Sequence, residues 1–167
     1  MEHSKRRCVL LSMIIIGLYA YSEEGFVFIR YESFSEKILV DKSFEQYTRK
    51  MDSIAKGLSI KIMVQESFRV FGKAVENAIV IPFQKSNHYV GHALDINLVY
   101  NDVWYNSAKL KRYDELPEAI KSFIKQCKSN GLFWGGDLPV HDVVHFDDGL
   151  YSKDPVKYQY LFDYYQQ

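Results

Sequence analysis

The sequence predicts an α+β domain, and three observations lead to that fold class. Apolar residues recur at helical spacing over 41–57, 115–130 and 154–165, so helices stand towards both ends of the chain. Between them, shorter segments alternate apolar and polar residues in the manner of strands. The 167 residues are 47% hydrophobic and 25% charged. This is the balance of an ordinary globular protein, which excludes wholesale disorder.

The N-terminus has the pattern of a secretory signal peptide over residues 1–22. Three basic residues at 5–7 precede an apolar run over 8–21, and residues 20–22 place small side chains where a signal peptidase cuts. The run is short for a membrane span, although an uncleaved anchor or a buried strand are the alternatives. We therefore expect a single domain over 23–167 that is secreted, periplasmic or in the cell envelope, with no stable membrane span.

The first half of this domain reads as a strand-like lead-in over 23–40, followed by a helix over 41–57. Asp41 or Ser43 can cap that helix and Gly57 can end it. Its apolar residues follow helical spacing: Phe44, Tyr47, Met51, Ile54 and Ala55. Strands are then predicted over three segments: 58–65, 78–83 and 93–100.

The helix over 115–130 has the clearest pattern. Asp114 can cap it, Pro117 suits its first turn and Gly131 follows its end. One apolar stripe runs along it: Leu116, Ala119, Ile120, Phe123, Ile124 and Cys127. Cys127 on that stripe predicts a buried, inert thiol. The last helix, 154–165, opens with an Asp-Pro pair.

Charge and cysteine content narrow the possible partners. The 21 basic and 21 acidic residues cancel, which argues against a nucleic-acid partner because such proteins usually carry a basic face. Loss of residues 1–22 would leave Cys127 as the one thiol, so an internal disulfide is not expected. We expect a monomer whose fold is stabilised by its hydrophobic core and, where one is bound, by a metal ion.

Side chains that can bind a metal are concentrated in two segments, 86–95 and 134–147. The first is a polar loop entering a strand, on which Asp95 lies on the face opposite Leu94 and Ile96. A carboxylate in such an apolar setting is costly to bury alone, and a cation would compensate its charge. His88 in the loop and Asp95 in the strand could reach one ion, and the second segment offers a third ligand.

These residues carry a family resemblance. Ser86-x-His88-x-x-Gly91-x-Ala93-x-Asp95 resembles the SxHxxGxAxD signature of VanY-like D-alanyl-D-alanine carboxypeptidases. The stretch from Gly131 to Asp137, followed by Asp142-x-x-His145-Phe146, is similar to the second block of that family, most of all in its L-alanyl-D-glutamate endopeptidase branch. Ser67-Phe68-Arg69 resembles the element whose arginine meets the substrate.

The resemblance implies a small central antiparallel sheet with flanking helices and one zinc ion, Zn²⁺, on His88, Asp95 and His145. It implies Asp142 as catalytic acid/base and Arg69 as a catalytic, substrate-holding residue. The implied substrate is a peptidoglycan stem peptide or a D-Ala-D-Ala-type peptide. Ser86 and Trp134 are further candidate substrate contacts, with plain core equally open for Trp134. The simpler alternative for Arg69 is a surface ion pair.

Several alternatives stay open at this point. Residues 141–145 (HDVVH) mimic the helical zinc motif HExxH, but Pro139 and two adjacent valines disfavour a helix there. His92 is interpreted as a flanking loop or strand-edge residue, and Asp137 and Asp147 as turn residues. At the level of function, the alternatives are an L-Ala-D-Glu endopeptidase or lysin, a secreted antagonist of bacterial walls, and a metal-bearing wall-binding module without activity.

Overall fold

The computed structural model describes residues 25–72 and 85–167, so the predicted leader over 1–22 and the predicted strand over 78–83 lie outside the described residues. The strands of the described part are β1 (Phe26–Ile29), β2 (Ile38–Asp41), β3 (Lys61–Glu66), β4 (Ala93–Tyr100), β5 (Val103–Tyr105), β6 (Phe133–Trp134) and β7 (His145–Asp147). Its α-helices are α1 (Glu45–Gly57), α2 (Ser107–Leu110), α3 (Glu118–Ser129), α4 (Leu150–Lys153) and α5 (Pro155–Tyr165). The α+β class with an antiparallel sheet is confirmed.

Strand β4 is the centre of the larger sheet. It pairs antiparallel with β3 along one edge, while its other edge pairs first with β7 and then with β5. β6 extends the sheet beyond β7, and β1 and β2 form a separate two-stranded ribbon. The first residues of β4 therefore have strands on both sides, and the site described below is built there.

The core lies between this sheet and the helices. On β4 the predicted inward face is confirmed, since Leu94, Ile96 and Leu98 are fully or almost fully buried. Each such side chain stabilises the fold by about 1.5–3 kcal/mol through burial. The predicted stripe of α3 is also confirmed, with Ile120, Phe123, Ile124 and Cys127 in the same core. Burial raises the pKa of the Cys127 thiol, as expected of an inert residue.

The predicted helix starts need correction. α1 begins at Glu45 rather than at 41, because Asp41 belongs to β2 and its carboxylate accepts from the backbone N–H of Ser43 (2.7 Å) ahead of the helix. α3 begins at Glu118, and Asp114 lies in a separate 3₁₀ turn instead of capping it. The last helix starts as predicted, with the Asp154 carboxylate accepting from the N–H of Lys157.

A small second apolar cluster ties helix α5 to the turn over 87–90. Val90, Leu150, Tyr158 and Leu161 are its buried members. The Tyr158 hydroxyl also donates to the carbonyl of Ser86 (3.0 Å), at the start of that turn. Helix α5 thus packs against the turn that carries His88 and stabilises it. No helix within 25–72 and 85–167 has the length and apolar character needed to cross a membrane.

Candidate metal centre and active site

Three side chains from separate parts of the chain converge beside β4. His88 Nε2 lies 3.1 Å from Asp95 Oδ1 and 3.2 Å from His145 Nδ1. The third side of the triangle, from His145 Nδ1 to Asp95 Oδ1, is 3.0 Å. Among the described residues this is the one group of three whose ligand atoms could hold a metal ion together.

Strand register explains the convergence of residues fifty positions apart. Asp95 on β4 and His145 on β7 are direct cross-strand partners, so their side chains leave the sheet side by side on one face. His88 comes from the 3₁₀ turn Asn87–Val90 that leads into β4. Gly91 ends that turn in the left-handed region (φ 70°), which reverses the chain towards the strand.

Hydrogen bonds behind the two imidazoles fix which nitrogen faces the centre. His88 Nδ1 lies 2.7 Å from the carbonyl oxygen of Ser67, which can only accept, so Nδ1 carries the proton. His145 Nε2 lies 2.8 Å from Asp147 Oδ2 and donates to that carboxylate. The nitrogens that face Asp95 are therefore His88 Nε2 and His145 Nδ1, and each of these can hold either a proton or a metal ion.

This arrangement fits a divalent ion such as zinc. Two imidazole nitrogens and a carboxylate oxygen are ligands that zinc takes, and a tetrahedral ion with ordinary bond lengths keeps its ligand atoms about 3.4 Å apart. The triangle here has sides of 3.0 to 3.2 Å. Three lone-pair donors this close would repel one another if none were protonated, and either a proton or a metal ion among them removes that repulsion. His145 and Asp147 also form the carboxylate–histidine pair common behind metal ligands.

The pKa shifts within the cluster also favour a bound cation. Burial alone would raise the pKa of Asp95, but His88 and His145 hold it well below its usual range. Burial opposes the charged form of His145, yet hydrogen bonds to Asp147 and Asp95 outweigh it and raise the pKa of His145 to about 10. The site is therefore built to hold positive charge, and a cation bound at Nδ1 would displace a proton.

Asp142 lies next to this cluster without belonging to it. Burial, and then the negative charge of Asp95, raise the pKa of the Asp142 carboxyl, while His145, His88 and Arg69 act in the opposite direction. No residue in the described ranges forms a hydrogen bond to its carboxylate, whereas its backbone carbonyl accepts from the N–H of His145 (3.0 Å). A half-buried carboxylate with a raised pKa beside a candidate metal centre is suited to moving protons.

Arg69 also reaches the cluster. Its Nη2 lies 4.0 Å from Asp95 Oδ2, and its side chain is only 11% exposed, which excludes the plain surface ion pair. It forms a two-pronged pair with Glu66 through Nε and Nη2, and its backbone N–H donates to the carbonyl of His88 (3.1 Å). The guanidinium is therefore held in one position, as a substrate clamp would need to be.

Glu66 is a site residue that sequence reasoning missed. It pairs with Asp95 across β3 and β4, but only because the register shifts between Val64 and Glu66. That bulge places Glu66, Asp95 and His145 in one row across three strands.

Asp147 has a second role besides the predicted one in a turn. It does accept from the N–H of Gly149 (2.5 Å), but it also orients His145. The i, i+2 spacing of His145 and Asp147 on one strand was the available signal.

Gly135 permits the close packing behind Asp142. A Cβ atom at this position would lie 2.2 Å from the carbonyl oxygen of Asp142 and 3.1 Å from Cβ of His145. With hydrogen in its place, the Gly135 carbonyl accepts from the N–H of Asp142 (3.1 Å). The glycine is thus needed for the close approach of the backbone.

The structure does not bring every predicted residue to the cluster. The Ser86 hydroxyl accepts from the N–H of His88 (3.3 Å), so it caps the turn. Trp134 belongs to the core, and its indole N–H donates to the carbonyl of Val143 (2.8 Å). Its visible role is to support the segment that carries Asp142 and His145.

The HExxH alternative for residues 141–145 is wrong. This segment is not helical, and His141 is exposed and hydrogen-bonded to the carbonyl of Gly136.

His92 lies directly before β4, at the strand edge as predicted, but its side chain also has a structural role that the sequence did not indicate. His92 is 2% exposed and lies between two carboxylates, with Nδ1 2.8 Å from Asp148 Oδ2 and Nε2 3.3 Å from Asp41 Oδ1. The second Asp41 oxygen accepts from the Tyr165 hydroxyl (2.6 Å). A charged imidazole can donate to both acids, so this buried group joins β2, the start of β4 and helix α5.

Replacing His92 with leucine should destabilise the fold by about 3–5 kcal/mol, because it leaves two buried carboxylates without their cation. Chemical denaturation measures this, and His141→Leu, at an exposed histidine, should cost less than about 1 kcal/mol. A loss of similar size in both variants would contradict the ion-paired role of His92.

The stability that His92 confers should also depend on pH. Burial opposes its charge, but Asp148 and Asp41 raise the pKa of His92 above 6.5. Its contribution is complete below 6.5 and is lost as pH rises through the folded value. Burial opposes the charge of Asp41 too, but His92, Ser43 and Tyr165 lower the pKa of Asp41 from 3.8 to about 2, so that contribution is lost as pH falls towards 2. The difference between wild type and His92→Leu should peak between about pH 4 and 6.5.

Asp147→Asn should weaken zinc binding about 10- to 100-fold, because the ligand His145 loses the carboxylate that orients it and raises its basicity. Competition with a chromogenic chelator measures the dissociation constant. The matched control is Asp102→Asn, an exposed turn residue at φ 58°, a conformation that asparagine tolerates. Equal affinity in the two variants would remove Asp147 from the site.

Comparison with known proteins adds an independent finding. Residues 82–148 match a family model described as D-alanyl-D-alanine carboxypeptidase. This range contains the three converging residues together with Asp142, and the match confirms the family resemblance. No curated protein matches the chain significantly.

Proposed function

We propose that this chain, whose residues 82–148 match the model of the D-alanyl-D-alanine carboxypeptidase family, is a zinc-dependent peptidase. Its proposed substrates are peptidoglycan stem peptides, cut at bonds that involve D-amino acids. The observation that carries the proposal is the triangle of His88, Asp95 and His145 with an uncommitted carboxylate, Asp142, beside it.

Each residue has a chemical task in this proposal. Asp142 accepts a proton from the attacking water and returns it to the leaving amine, which its raised pKa and half-buried position suit. Arg69, held by Glu66, binds the substrate carbonyl or terminal carboxylate with its remaining donors. His88, Asp95 and His145 would hold the ion, with Asp147 and the Ser67 carbonyl orienting the two imidazoles. When bound, zinc supplies a Lewis acid that polarises the scissile carbonyl and acidifies water.

Location follows from the substrate. A peptidase that acts on the cell wall must reach it, and the leader predicted over 1–22 would provide export. We therefore infer action in the periplasm, in the cell envelope or outside the cell.

The test is hydrolysis of a peptide that ends in D-Ala-D-Ala, compared with its L-Ala-L-Ala isomer. We expect release of D-alanine from the first peptide alone, loss of activity with a chelator and recovery with one equivalent of Zn²⁺. A peptide containing an internal L-Ala-D-Glu bond, run in parallel, separates carboxypeptidase from endopeptidase action. Hydrolysis that survives metal removal would contradict zinc dependence, and zinc binding without cleavage of any peptide would favour a binding module.

A further inference from the structure

A cavity of about 480 Å³ lies outside the site described above. It opens between helix α3, the residues after α2 and the segment 136–143, and none of His88, Asp95 and His145 lines it. Its volume is within the range of small-ligand sites, about 300–1,000 Å³.

The wall and the rim of this cavity differ in character. Its wall is apolar and aromatic, with the buried Trp134 and Val143 beneath and the Tyr113 ring 5.5 Å from that of Trp134. Its rim is basic, with three lysines, Lys111, Lys125 and Lys128, against one acid, Asp137. The chain as a whole has no net charge, so this concentration is a local feature.

Two of the rim lysines have no acidic partner. Lys128 pairs with Asp137 at 2.6 Å, but across 25–72 and 85–167 neither Lys111 nor Lys125 forms an ion pair. Both residues are exposed, so their ammonium groups can turn towards a ligand without breaking an existing bond. The complement of such a surface is a ligand with carboxylates at one end and aliphatic groups at the other.

We propose that this cavity is a second binding site, for an acidic peptide segment whose carboxylates meet Lys111 and Lys125 and whose aliphatic part lies on Trp134 and Tyr113. Stem peptides contain such a segment in their D-glutamate. That identification of the ligand rests on the proposed function, whereas the site itself rests on the cavity and its charges.

The cavity adjoins the proposed catalytic segment directly. His141 and Val143 both line it, and between them in sequence is Asp142, whose carboxyl is influenced by the charge of Asp95. The Val143 carbonyl is also the acceptor of the Trp134 indole N–H. A ligand in the cavity would therefore contact the two residues that flank Asp142, and the fluorescence of Trp134 would report its binding.

The chain offers a direct optical test. Its two tryptophans are Trp104 and Trp134, and Trp104 is 44% exposed on β5. Trp104→Phe leaves Trp134 as the one indole fluorophore. We titrate this variant with N-acetyl-γ-D-glutamyl-L-alanine, a dicarboxylate that contains neither of the two bonds offered in the hydrolysis test, D-Ala-D-Ala and L-Ala-D-Glu. A saturable change in emission is expected, and the diamide of the same probe should bind at least about tenfold more weakly.

Matched charge changes locate the binding. In the same background, Lys111→Gln with Lys125→Gln should weaken binding at least about tenfold. Lys50→Gln with Lys61→Gln removes the same charge from exposed lysines elsewhere and should leave binding within about twofold. No saturable change, equal binding of the diamide, or equal weakening by both double variants would overturn the proposal. Because the titration involves no hydrolysis, a failed peptidase assay with intact binding would refute the proposed function alone.

Discussion

Asp142→Asn is expected to keep bound zinc and to lower kcat by about 10²- to 10⁴-fold, the usual contribution of a positioned general acid/base. The amide is close in size to the carboxylate but cannot accept the proton of an attacking water. Zinc should stay because Asp142 is outside the triangle of candidate ligands. Steady-state kinetics on the D-Ala-D-Ala peptide, with zinc measured per folded chain, provide the test.

The matched control is Asp102→Asn, which makes the same chemical change in the exposed turn between β4 and β5 and should leave kcat unchanged. Full activity in Asp142→Asn would remove this residue from the mechanism. Loss of zinc together with activity would mean that Asp142 acts as a ligand, which the geometry of the other three residues does not require.

His88→Ala is expected to abolish both zinc binding and activity. Loss of a residue that merely orients a ligand costs about 10- to 100-fold in metal affinity, so loss of a ligand itself should cost more. The imidazole is 2% exposed, and its ring nitrogens contact the Ser67 carbonyl, Asp95 and His145, so water replaces it poorly. Metal analysis after dialysis, on protein whose far-ultraviolet dichroism shows the native fold, measures this directly.

His141→Ala is the control for metal content, because it removes an exposed histidine close in sequence to the site. It should retain one zinc per chain. Stoichiometric zinc in His88→Ala would show that the ligand assignment is wrong, whatever the activity.

Hydrophobic periodicity predicted those strands and helices that have one buried face and one more exposed face. β4 lies at 93–100 as predicted, because its alternation follows one buried and one less buried face. The stripe of α3 was equally visible, because a long amphipathic helix repeats its pattern several times. β6 and β7 were not predictable in this way. They have two and three residues, too few for an alternation to show, and strand pairing holds them, β7 against β4 and β6 against β7.

The site residues that belong to a family motif could be predicted from the sequence. Those that reach their place through pairing with residues distant in sequence could not. The resemblance supplied His88, Asp95, His145, Asp142 and Arg69. Glu66 reaches the site through a bulge in β3, and nothing in the local sequence reveals a shift that only the partner strand defines. The same holds for His92, whose carboxylate partners are about fifty positions away on either side.

The most direct measurement is X-ray absorption or a crystal structure with anomalous scattering at the zinc edge. We expect one ion, with His88 Nε2 and His145 Nδ1 at about 2.0–2.1 Å and an Asp95 oxygen at about 2.0–2.2 Å. Asp142 should remain outside these bonds. An ion bound elsewhere, or a shell with fewer than two imidazole nitrogens, would contradict the account.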